Sequence, residues 1–121
     1  MRKKIHINET ELTNGTLYLH TLDSIDTLQE VGQLIADSEA FAFVYLLEDS
    51  EEYVYVYLEE STWTSLKELL TNKDKVYLKN NENHLELKHF YDELDYLISN
   101  IEGNGNYGEE MVSKVESVFI K

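Results

Sequence analysis

A chain of 121 residues is the size of one domain, large enough to bury roughly two-thirds of its unfolded surface around a single core. It holds no Cys, which excludes disulfides, thiolate zinc sites and cysteine nucleophiles. Its 24 acidic residues against 10 Lys and Arg give a formal charge of -14, poor footing for a protein that must neutralise phosphates, so direct nucleic-acid binding is not expected.

The charge is unevenly placed. Arg2, Lys3 and Lys4 open the chain, and no further Lys or Arg occurs from Ile5 through Leu66, a span with thirteen carboxylates. Such a charge keeps cytosolic proteins apart, and it also steers a protein toward basic partners. Met-Arg-Lys-Lys looks like the start of a signal peptide, but residues 5–14 mix His6, Asn8, Glu9 and Glu11 among their apolar residues and offer no hydrophobic region. The longest apolar run, residues 40–47, is far short of the roughly 18–20 residues of a membrane helix. A cytoplasmic location without membrane contact is expected. Proline is absent and nothing marks a boundary, so residues 1–121 read as one domain.

In chain order the sequence suggests two short strands and one helix, three times over. In the first unit Ile5 and Ile7 alternate with polar residues, Asn14-Gly15 signals a two-residue turn that sets Leu12 opposite Leu17, and Leu17 and Leu19 continue the alternation. Ile5 and Leu12 then have opposite parity, which requires a bulge or bend near Glu9 and Thr10. A helix is predicted over 25–36, capped by Ser24, with Ile25, Leu28, Val31, Leu34 and Ile35 on one face. The second unit runs from Phe41 to Leu47, turns through the acidic residues 48–52, and returns from Tyr53 to Leu58. Matching of aliphatic with aliphatic faces predicts Tyr45 opposite Tyr55 and Val44 opposite Val56, with three or five loop residues. Ser61 or Thr62 caps a helix with Trp63, Leu66, Leu69 and Leu70 inward. In the third unit Val76 and Leu78 face Leu87 and Leu85 across residues 80–83. Phe90, Leu94, Leu97, Ile98 and Ile101 then repeat at helical spacing, Gly103 stops that helix, and a last one covers 108–120. The fold class is α+β: a mostly antiparallel sheet of about six strands from three ββα units, with a C-terminal helical hairpin.

Residues 103–108, Gly-Asn-Gly-Asn-Tyr-Gly, match the letters of a dinucleotide-binding fingerprint. Their position between two helices, with Glu109 and Glu110 where a pyrophosphate would sit, points instead to a connector with Gly103 as C-cap and Asn106 in a capping box with Glu109. The histidines His6, His20, His84 and His89 are too scattered for a metal set, and residues 48–52 lack the ligand alternation and glycine of a calcium loop. No serine or carboxylate pair has a recognisable base and orienter. No catalytic residue, cofactor or metal is assigned.

The strand alternation offers the most informative feature. One parity collects Leu17, Leu19, Ala42, Val44, Leu46, Val54, Val56, Leu58, Val76, Leu78, Leu85 and Leu87, a floor for helices. The other collects aromatics, among them Phe43, Tyr45, Tyr53, Tyr55 and Tyr57, and these five form the candidate interface. Sheets that bind RNA also stack bases on aromatics, but with cations alongside, and the first half of the chain has none past Lys4.

Asn-Ile-Glu-Gly-Asn-Gly-Asn-Tyr-Gly-Glu-Glu-Met-Val-Ser-Lys-Val-Glu-Ser-Val-Phe at 100–119, with Val-Gly-Gln-Leu-Ile-Ala-Asp-Ser-Glu-Ala-Phe-Ala-Phe-Val-Tyr at 31–45, resembles Uncharacterised Protein Family 0738, small cytosolic proteins of Gram-positive bacilli. The resemblance runs over most of the chain and implies a cytosolic origin. That family has no assigned activity, ligand or catalytic residue to carry over. The expectation is therefore an acidic protein-interaction or homo-oligomerising module, whose partner has a basic surface. The alternatives are an acidic mimic of nucleic acid that inhibits a DNA- or RNA-binding protein, and an unrecognised enzyme.

Overall fold

A computed structural model describes residues 3–120. The chain begins with β1 (Lys3–His6) and then changes sheets at Ile7 and Asn8, where the Asn8 N–H donates to the His20 carbonyl at 2.8 Å. This switch resolves the parity conflict between Ile5 and Leu12, because the two belong to different sheets. β2 (Glu9–Thr13) and β3 (Thr16–His20) form the expected hairpin, with Leu12 opposite Leu17. Asn14 and Gly15 both take positive φ, 51° and 76°, as a two-residue turn matched to strand twist requires.

Residues expected to form the first helix instead form an edge strand, β4 (Gln29–Asp37). Its pairing with β5 (Ala42–Glu48) is interrupted. Glu30 faces Leu47 and Leu34 faces Tyr45, so Val31, Gly32 and Gln33 bulge against Leu46 alone. Gly32 makes the bulge possible with φ +84°, and a Cβ there would lie 2.8 Å from the His89 ring. A bulged strand loses its period of two, and its apolar residues fall at spacings of three and four that imitate a helix face. Leu34 points into the core while Ile35 is 38% exposed on the opposite side, the alternation of a strand paired with β5.

β6 (Tyr53–Glu59) follows β5 through a four-residue turn, 49–52, and not through three or five. Asp49 holds that turn. Its Oδ1 accepts from the N–H groups of Glu51 and Glu52 at 2.8 and 2.9 Å. An even loop moves the pairing by one residue, so Tyr45 faces Val56 and Val44 faces Tyr57.

Glu60–Thr62 form a 3-10 turn leading to α1 (Trp63–Asn72), which buries Trp63, Leu66 and Leu69 and ends at Lys73 in the left-handed region. β7 (Lys75–Lys79) and β8 (His84–Glu86) pair in the expected register, with Leu78 opposite Leu85 and the Leu87 N–H bonded to the Val76 carbonyl at 2.8 Å. α2 (Phe90–Ile101) buries all five expected residues, and α3 (Glu109–Val115) runs on as a π turn, Glu116–Ile120, completing the C-terminal helical hairpin.

The fold is α+β, but not one six-stranded antiparallel sheet. Among the described residues, eight strands make two four-stranded mixed sheets, β1-β6-β5-β4 and β2-β3-β7-β8. The pairs β1/β6 and β3/β7 are parallel. The inner faces of both sheets enclose one core with the helices: Phe43, Tyr45, Val56 and Leu58 from the first, Leu17, Leu19, Val76 and Leu78 from the second, Trp63, Phe90 and Met111 from the helices. At roughly 25 cal/mol per Å2 of apolar area this shared core is the main driving force for folding.

Candidate functional site

The four-residue turn decides what the outer face of the first sheet contains. Phe43 and Tyr45, expected on the interface, lie on the inner side and are fully buried. Phe43 stacks on Trp63 with ring centroids 4.9 Å apart, and Tyr45 packs against Phe90 at 5.2 Å. The Tyr45 hydroxyl donates to Glu30 Oε1 at 2.6 Å, and burial together with this carboxylate raises the pKa of the phenol far above its ordinary value. These five aromatics therefore divide between two faces: Tyr53, Tyr55 and Tyr57 point outward, Phe43 and Tyr45 inward.

In their place the outer face takes Ala42, Val44 and Leu46 from β5 and Ile35 from β4. Ala42, Val44 and Tyr57 form a second, smaller cluster, against which Tyr55 packs. Tyr57 crosses β5, donating its hydroxyl to Asp37 Oδ2 at 3.0 Å, while the Lys4 ammonium lies 4.6 Å from its ring centroid. Asp37 also accepts from the N–H groups of Ala40 and Glu39, and these bonds, the Ala40 one foremost, lower its pKa. Tyr53 at the end of the strand is 52% exposed. Beside Tyr55 a shallow depression of about 470 Å3 includes Ile35, Val44, Asp37 and Glu39. The face thus has an apolar centre, with Asp37 and Glu39 at the β4 margin and Lys4 at the β1 margin. Ala42, Val44 and Leu46 were missed because the register was off by one, and Ile35 because its strand imitates a helix. The available signal was Asp49, an aspartate positioned to accept from the N–H groups two and three residues ahead, which marks a four-residue turn.

At the tip of this hairpin Asp49 also accepts from Lys3 Nζ at 2.9 Å. The Glu51 N–H, then Lys3 and the Glu52 N–H, lower the Asp49 pKa to about 2, and the same pair raises that of Lys3. The four histidines do not meet. His20 Nε2 is 2.9 Å from Glu11 Oε1, His84 lies beside Tyr77, His6 is on β1, and His89 precedes α2 beside Gly32. Among the described residues no three His, Asp or Glu side chains converge as a metal site requires.

The glycine segment lies between α2 and α3. Gly103 ends α2 with φ +67°, and its N–H donates to Glu116 Oε2 at 2.8 Å. Asn104, not Asn106, provides the local cap, accepting from the Asn106 N–H at 3.0 Å, and Gly108 occupies the N-cap position of α3. No strand delivers these glycines to a helix.

A family model described as a family of unknown function, UPF0738, matches residues 5–119, nearly the whole chain. The chain belongs to UPF0738. A UPF0738 protein of Staphylococcus epidermidis is 47% identical over 116 residues, 96% of each chain. UPF0738 proteins of Staphylococcus aureus and Staphylococcus haemolyticus are 44% and 41% identical over the same length and coverage. No solved structure matches it. Membership in UPF0738 brings no ligand or activity with it, so function has to be argued from the surface. Among the described residues no helix is long and apolar enough to cross a membrane.

Proposed function

We propose that this protein is an acidic, cytoplasmic interaction module that holds a basic-rimmed protein partner, or a second copy of itself, on the outer face of its first sheet. One observation carries the reading: Tyr53 and Ile35 are exposed on the sheet face whose small apolar cluster, Ala42, Val44 and Tyr57 with Tyr55 packed against it, is separate from the main core. Aromatic and aliphatic residues concentrated at the centre of a patch, with charge at its margin, are the composition of interface cores. Asp37 and Glu39 make the β4 margin acidic, opposite Lys4 on β1, and the chain's charge of -14 adds long-range attraction for a basic partner.

The test is Tyr55→Lys, examined by sedimentation and thermal melting beside the parent, with capture from the native host at low and high salt. An ammonium placed at the aromatic centre repels a basic partner and is desolvated on docking, so association falls at least tenfold while the melting temperature stays close to that of the parent. A variant that melts far lower, with no association measurable in the parent at either salt concentration, overturns the proposal.

A further inference from the structure

The second sheet also turns one face away from the core, and its chemistry differs from that of the first. Its two central strands, β3 and β7, run parallel with Tyr18 opposite Tyr77. The two rings lie side by side, centroids 5.9 Å apart and planes 32° from parallel. His84 from β8 meets Tyr77 edge-on at 5.5 Å, and the Lys79 ammonium lies over the Tyr18 ring, 5.2 Å from its centroid, so that a base stacking there displaces it toward the phosphate. Lys75 and Lys79 bracket Tyr77 on the same face of β7, each two residues away, about 6.6 Å along the strand. Together with Thr16 these side chains line a cleft of about 360 Å3, and among the described residues no carboxylate lines it. On a chain with 24 Asp and Glu that is an unusual absence, and the depression beside Tyr55 by contrast carries Asp37 and Glu39. Acidic neighbours stand outside the cleft. Glu11 is held by His20 at 2.9 Å and by Thr13 at 3.0 Å, and Glu86 faces Tyr77 from the edge strand.

We propose that this cleft binds single-stranded nucleic acid, with two successive bases stacked on Tyr18 and Tyr77 and the adjoining phosphates held by Lys75 and Lys79. Neighbouring aromatics on the central strands of a sheet, flanked by cations, offer what an unpaired strand needs: π faces for bases of any identity and donors for its backbone. The net charge of -14 describes the average of the surface. Parallel pairing of β3 with β7 brings Tyr18, from the half without Lys or Arg past Lys4, beside two lysines of the other half. Repulsion from the remaining carboxylates makes this a modest-affinity site, and its two lysine–phosphate contacts weaken as salt rises.

The experiment is a titration of the full chain with oligouridylate and oligothymidylate of about eight nucleotides, read by anisotropy and by the tyrosine ring resonances. Inorganic polyphosphate of equal charge runs in parallel. Saturable binding of both oligonucleotides, much weaker binding of polyphosphate, and shifts at Tyr18 and Tyr77 are expected. Tyr77→Ala should weaken binding about tenfold, the usual loss for one stacked base. Lys75→Gln with Lys79→Gln, which leaves the tyrosines and the fold in place, should flatten the salt dependence by about 1.4 in log-log slope. Polyphosphate binding as tightly as the oligonucleotides overturns the proposal, as does absence of saturable binding at low salt. Self-association lost in Lys79→Gln, without oligonucleotide binding, also overturns it and assigns the cleft to a second copy.

Discussion

The outer faces of the two sheets arise from similar alternations of tyrosine with aliphatic residues, and they end as different surfaces. On the first sheet Tyr57 folds across β5 to Asp37, covers Ala42 and Val44, and leaves an apolar centre with carboxylates at its β4 margin. On the second, Tyr18 and Tyr77 lie side by side among Lys75, Lys79 and His84, with no carboxylate in the cleft. What separates them is each strand's neighbour and the length of each turn. An aromatic at a given parity becomes core, interface or stacking platform according to the strand beside it.

The sharpest way to break this comparison is to exchange its two kinds of aromatic. Phe43→Ala empties a fully buried site stacked on Trp63 and should lower stability by about 3–5 kcal/mol, whereas Tyr53→Ala, at a half-exposed position, should change it by less than about 0.5 kcal/mol. Denaturant unfolding of both variants checks this. Equal losses would mean that the two residues share a face and that the four-residue turn is wrong.

A smaller effect is expected from Tyr45→Phe, which removes the hydroxyl bonded to Glu30 and should cost about 2 kcal/mol at neutral pH. Its sign with pH is fixed. Burial, then the Glu30 carboxylate, raises the Tyr45 pKa in the folded chain, so this stabilisation is complete below the ordinary tyrosine value of 10.0 and is lost as pH rises above it. Parent and variant should therefore converge in stability through alkaline pH, in melts recorded on either side of pH 10. A constant gap would place Tyr45 on the exposed face.

The smallest effect concerns the turn itself. Asp49, lowered to about 2 by the Glu51 N–H, Lys3 and the Glu52 N–H, contributes stability that is complete above the ordinary value of 3.8 and is lost as pH falls through about 2. Carboxyl NMR should show its midpoint well below the ordinary value of 3.8, and Lys3→Gln should move it up without unfolding the chain. A midpoint at the ordinary value would remove the bonds that make the turn four residues long.

Local signals were legible wherever one short segment carried both the turn and the pattern. Asn14-Gly15 announced its hairpin and placed Leu12 on Leu17, and residues 80–83 placed Leu78 on Leu85. The run from Phe90 to Ile101 announced α2, with all five expected residues buried. The stretch 25–36 was misleading because its Gly32 bulge converts a period of two into helical spacing, and only β5, with α2 behind it, shows that the segment is extended. The candidate interface was half legible. The tyrosines of β6 do point outward, but which side β5 presents depended on one residue of turn length, and matching aliphatic faces chose the wrong count.

The sequence by itself determined an α+β chain without cysteine, the hairpins that turn at 14–15, 49–52 and 80–83, the buried faces of α1 and α2 and its large negative charge, because composition and short-range alternation act within a few residues of chain. Tertiary structure alone decided that β1 and β2 enter different sheets, that β1 pairs with β6, and that β3 pairs with β7. Parallel partners are joined by long crossovers, so no local pattern encodes their neighbourhood. That is why Tyr18, from a span without Lys or Arg, and Lys79, from the half that holds seven lysines, share one cleft.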